Sequence, residues 1–106
     1  MSLTLAYITC PNVEDARRIG RALVLERLVA CVNILPHMES FYWWNGTIEN
    51  GQETVLIAKL PSHAQDSLLN RVLELHPYET PCVLFVPVTG GNPEYLTWLI
   101  DEADGS

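Results

Sequence analysis

Basic residues are scarce in this chain. Six Lys and Arg stand against thirteen Asp and Glu, for a net charge of −7 over 106 residues. Partners bound by neutralising phosphates need Lys and Arg clustered on one face, so nucleic acid and anionic membrane are disfavoured as partners. Long apolar runs are also missing. Stretches such as Val83-Leu84-Phe85-Val86 fall far short of the ~20 residues a membrane-spanning helix needs, and no secretion signal is read at either end. Cysteine is sparse and odd in number, with Cys10, Cys31 and Cys82, which argues against a disulfide framework and for a soluble cytoplasmic protein with reduced thiols. Catalytic templates are lacking as well. There is no phosphate-binding glycine loop and no HExxH, and Gly90-Gly91 has no serine placed as a nucleophile elbow would need. No catalytic residue and no organic cofactor is expected.

What the chain does contain is a high apolar fraction, 48%, spread without low-complexity sequence. A chain of this length fits one compact domain, residues 1–106, burying roughly two thirds of its unfolded surface. Leu3 to Thr9 reads as a strand that stops at Cys10-Pro11. Asn12 with Asp15 reads as a helix cap, followed by an apolar stripe at Ala16, Ile19, Gly20, Leu23 and Leu28, which predicts a helix over 13–29. Ala30 to Leu35 returns to strand composition, Pro36 marks a bulge, and Phe41-Tyr42-Trp43-Trp44 resumes the strand. Asn45-Gly46 is a type I′ hairpin signal, and Asn50-Gly51 predicts a second irregularity in the returning strand.

Ser62 with Gln65 has the form of a capping box ahead of a second helix that ends at Pro77. The run from Cys82 to Val88 reads as a buried last strand, and Asn92-Pro93 opens a short helix carrying Tyr95 and Trp98. The order β-α-β-β-α-β-α predicts an α+β, ferredoxin-like βαββαβ sandwich with an extra C-terminal helix and a long central hairpin.

A sheet covered by helices on one face leaves its other face and the hairpin aromatics Phe41, Tyr42, Trp43 and Trp44 without partners. A closed homo-oligomer in which arms of neighbouring copies pair would cover them; the alternative is that the tryptophans pack on their own helices within a monomer.

The stretch Leu75-His76-Pro77-Tyr78-Glu79-Thr80-Pro81-Cys82 gathers an imidazole, a carboxylate and a thiol. Locally it reads as a helix stop, a turn and a strand start, because it lacks the paired CxxC or HxxxH spacing of a zinc site. Metal chemistry enters through topology. Cys10 leaves the first strand and Cys82 enters the last, which are antiparallel neighbours, so Cys10, His76, Glu79 and Cys82 fall at one end of the sheet, with donors that suit copper or zinc.

Together, Ala30-Cys31-Val32-Asn33-Ile34, Ser40-Phe41-Tyr42-Trp43-Trp44-Asn45-Gly46, Glu53, Lys59, His76-Pro77-Tyr78-Glu79-Thr80-Pro81 and Tyr95-Leu96-Thr97-Trp98-Leu99 resemble the CutA divalent-cation-tolerance family over nearly the whole chain. The resemblance implies a homotrimer with the hairpin and Trp98 in its interface, cytoplasmic location, no catalysis, and tolerance of divalent metals such as copper. It also implies a copper site to which Cys10 and His76 correspond. Leu75 stands where some members have a further histidine, and Cys82 replaces the glutamate that commonly follows the second proline. Trimeric ferredoxin-like architecture is also similar to that of PII signalling proteins, so a small ligand in clefts between subunits, acting on a protein partner, is the alternative function.

Overall fold

The structure, a computed structural model, describes residues 2–103. Its elements are β1 (Leu3–Cys10), α1 (Val13–Leu25), β2 (Cys31–Trp44), β3 (Thr47–Pro61), a 3-10 turn (Ser62–Ala64), α2 (Gln65–Leu75), β4 (Val83–Val88) and α3 (Pro93–Glu102). The four strands form one sheet in the order β2-β3-β1-β4, with every neighbour antiparallel. This is the expected α+β arrangement, with β3 inserted between two parallel strands joined through α1.

Strand alternation divides the sheet into two faces. Ala6, Ile8 and Cys10 of β1 and Leu56, Ala58 and Leu60 of β3 are fully buried against α1 and α2, where Ala16, Ile19, Leu23, Leu68 and Val72 complete the core. Gly20 sets the approach of α1. A Cβ there would meet Val32 Cγ2 at 3.0 Å and Leu56 Cδ1 at 3.1 Å. On the opposite face Leu35, Leu84 and Val86 remain exposed. α3 packs against β3 through Tyr95, whose hydroxyl bonds Lys59 Nζ at 3.1 Å.

Several local expectations hold. Asn12 Oδ1 accepts from Asp15 N at 2.8 Å, and Asn92 caps α3 ahead of Pro93. Asn45 and Gly46 both take positive φ, as a type I′ turn demands. The bulge falls between Leu35 and Met38, with His37 at φ 65.

Other expectations are corrected. Helix α1 ends at Leu25, not Val29, because Arg27 takes the left-handed conformation (φ 57) and closes a Schellman motif: Leu28 N bonds Leu23 O and Arg27 N bonds Val24 O. Glycine usually fills that position. Here the Arg27 guanidinium is held by the Glu102 carbonyl and carboxylate of α3. The capping box does not form either. Ser62 Oγ and Gln65 Oε1 both meet Thr4 Oγ1, at 2.7 and 3.2 Å, tying the start of α2 to β1. Asn50-Gly51 causes no irregularity, since Phe41 pairs with Asn50 and Ser40 with Gly51 in unbroken register. Strand β4 is an edge strand with alternating exposure and is not buried on both faces.

Candidate functional site

The residues expected to hold a metal separate into two groups. Register decides how. Ile8 pairs with Val83, and Thr9 N bonds Cys82 O, so Thr9 and Cys82 share the sheet face opposite α1 and α2. Cys10, one residue on, points to the helix side and belongs to the core. The two thiols therefore lie at the same end of the sheet on opposite faces.

His76 caps α2, its N–H bonding Val72 O at 2.8 Å, and its ring is buried. Nε2–H donates to Thr9 O at 2.8 Å, and Nδ1 accepts from Tyr78 N at 3.1 Å. These bonds fix the tautomer and occupy both nitrogens. The imidazole also packs on the Tyr78 ring, with centroids 4.9 Å apart. It acts as a latch between the end of β1 and the segment leading into β4.

Cys82 and Glu79 instead line an open cavity of about 1000 Å3. Tyr42, Trp44, Glu49 and Glu53 of the hairpin supply one wall, and Thr9 and the 77–82 segment the other. The pairing explains the selection: Tyr42 stands opposite Glu49, and Met38 opposite Glu53, so these positions share the face of Thr9. Phe41 and Trp43 alternate to the other side of the hairpin, where Ile48 pairs with Trp43. Glu53 accepts from Ser40 Oγ at 2.9 Å. Burial, and next the Glu53 carboxylate, push the Tyr78 phenol above its ordinary range. Trp98 lies outside this cavity, half-exposed and against Tyr95 at 5.4 Å between ring centroids.

Copper and zinc sites need three or four converging nitrogen, sulfur or oxygen donors. No three His, Cys, Asp or Glu among the described residues converge in this way. The set Cys10, His76, Glu79 and Cys82 does not fit an ion within one protomer, because Cys10 faces the core and His76 has no free nitrogen.

Burial, followed by the Asp15 carboxylate, pushes the Cys10 thiol up to about 11. At pH 8 only about one Cys10 in a thousand is then thiolate, so alkylation should reach it last, and only on unfolding. Peptide mapping after iodoacetamide treatment, with and without denaturant, checks this. Because the folded value lies above the ordinary 9.0, the associated stability is fully present below about pH 9. It falls as pH rises toward 11, by up to about 3 kcal/mol.

Residues 4–102 match the family described as CutA1 divalent ion tolerance protein. The divalent-cation tolerance protein CutA of Thermus thermophilus is 49% identical over 95 residues, covering 90% of this chain and 92% of its own. Protein CutA of Mus musculus is 43% identical over 98 residues, which are 92% of this chain and 55% of the mouse protein, so this chain spans about half of that relative. The crystal structure of CutA1 from Oryza sativa superposes with a TM-score of 0.96 at 38% identity, covering 100% of this chain and 97% of the rice chain. With the ferredoxin-like order, the long hairpin and the His76 latch in place, the matched span takes in every element described, and the chain belongs to the CutA divalent-cation tolerance family.

Proposed function

We propose that this protein is a non-catalytic, trimeric, cytoplasmic responder to divalent metal ions, whose working site is the cavity between the hairpin and the 77–82 segment. One observation carries the reading. The cavity opens on the same sheet face as the uncovered apolar side chains Leu35, Leu84 and Val86, so a neighbouring copy that covers this face also walls the cavity. The hairpin's other side, with Phe41, Trp43 and Ile48 all more than 60% exposed, gives that neighbour a second apolar surface.

Within this arrangement Cys82 and Glu79 are the accessible donors for copper or another divalent cation, and Glu53 and Glu49 add carboxylate charge. A thiolate favours soft ions such as copper, and a neighbouring copy would have to complete the ligand set. Cys10 and His76 hold the scaffold.

Calorimetric titration with copper and with zinc tests this directly. Cys82→Ser is expected to weaken binding roughly 10- to 100-fold, the scale on which metal sites respond even to loss of a supporting group. Cys10→Ser should bind as the wild type does. Equal binding by all three proteins, or a loss confined to Cys10→Ser, overturns the assignment.

A further inference from the structure

The cavity is much larger than an ion, and its lining has a second chemistry. Three aromatic side chains, Tyr42, Trp44 and Tyr78, line it together with three carboxylates, Glu49, Glu53 and Glu79, and among the described residues no Lys, Arg or His of this protomer does. A volume of about 1000 Å3 lies at the upper end of the range for small-molecule sites, and a bare ion would touch a small fraction of such walls. Aromatic faces carry negative potential and attract cations whose charge is spread over alkyl groups, while carboxylates add attraction at longer range. An anionic ligand would meet three carboxylates on this protomer's wall, with no Lys, Arg or His among the described residues of that wall to offset them.

The wall is also organised. Glu53 is oriented by Ser40 Oγ, and Tyr78 is held by its backbone bond to His76 Nδ1 and by ring contact with His76. Tyr42 and Glu49 are paired across the hairpin, so one face of two strands presents an aromatic ring and a carboxylate side by side.

We infer that this cavity binds a small organic cation of the alkylammonium class, held between the rings of Tyr42, Trp44 and Tyr78 and the carboxylates of Glu49, Glu53 and Glu79. The inference rests on the cavity being the working site, and it names a ligand class beyond metal ions. It ties the long hairpin to ligand recognition, because two of the three rings and two of the three carboxylates belong to β2 and β3.

The test uses the purified protein, with choline as the probe and its uncharged carbon isostere, dimethylbutanol, as the control. Binding is followed by calorimetry and by the Trp44 indole resonance. Choline is expected to bind at millimolar or lower concentration and about tenfold more tightly than dimethylbutanol. Trp44→Ala and Glu53→Gln should each weaken choline about tenfold. Glu94→Gln removes an equal charge from the exposed start of α3 and should leave binding unchanged. Equal affinity for choline and dimethylbutanol, no choline binding at millimolar concentration, or equal effects of Glu53→Gln and Glu94→Gln would each overturn the inference. Loss of copper and zinc binding with choline binding intact removes only the metal reading. Loss of choline binding with trimer and metal binding intact removes only this one.

Discussion

With Phe41 and Trp43 both replaced by serine, the protein is expected to behave as a monomer in light scattering, whereas the proposed arrangement makes the wild type a trimer under the same conditions. The two rings are 67% and 73% exposed in the protomer and project from the same side of the hairpin, next to Ile48. Aromatic side chains of this size bury about 150–250 Å2 when fully covered, so covering the part still exposed contributes roughly 3–4 kcal/mol for each at an interface. Serine keeps strand backbone geometry and adds no charge, so the sheet register should survive while the apolar surface is lost. Tyr42 and Trp44 face the cavity, and the double variant leaves them in place. A trimer of unchanged melting temperature would show that Phe41 and Trp43 lie outside the interface.

His76→Ala should be the most destabilising single substitution at the candidate site. The ring is 7% exposed, and its removal leaves a cavity beside Tyr78 and strips partners from Thr9 O and Tyr78 N. Loss of a buried ring, of the partner of the buried Thr9 carbonyl and of the partner of the part-buried Tyr78 N–H together cost on the order of 3 kcal/mol, enough to lower the melting temperature by roughly 10 °C or more. Cys82→Ser, on the cavity wall, should stay within about 1 kcal/mol of wild type. A metal-ligating His76 would give the reverse pattern, with lost copper affinity and little lost stability. Parallel thermal melts and copper titrations of the two variants distinguish these outcomes.

The parts of the fold that rest on local chemistry were legible in the residues. Asn12 and Asn92-Pro93 announce helix starts, Asn45-Gly46 announces the hairpin turn, and Pro36 announces the bulge, each because one short-range conformation is favoured. The end of α1 was hidden because its left-handed residue is Arg27 with no glycine to mark it, and because Leu28 and Val29 prolong the apolar stripe. Its stabilising partner, Glu102, lies 75 residues away. Ser62 and Gln65 had the spacing of a local cap, yet Thr4, reachable only through the tertiary fold, captures both side chains.

The candidate site was legible to the level of strand ends and no further. Topology brings Cys10 and Cys82 to one end of the sheet, and a single residue of register decides which face each takes. Thr9, opposite Cys82, is the residue that shares its face. Period-two alternation already separates Tyr42 and Trp44 from Phe41 and Trp43, a signal present in the hairpin sequence. Glu49 and Glu53 carry no motif. Their place in the cavity follows only from the cross-strand pairing of β2 with β3.

The central claim is that the uncovered sheet face and hairpin of one copy are completed by two others, which gives the cavity its remaining wall. Native mass measurement of the wild-type protein at micromolar concentration tests it most directly. A species of three times the 11.9 kDa chain mass, persisting on dilution, is the predicted result. A stable monomer of 11.9 kDa would contradict it.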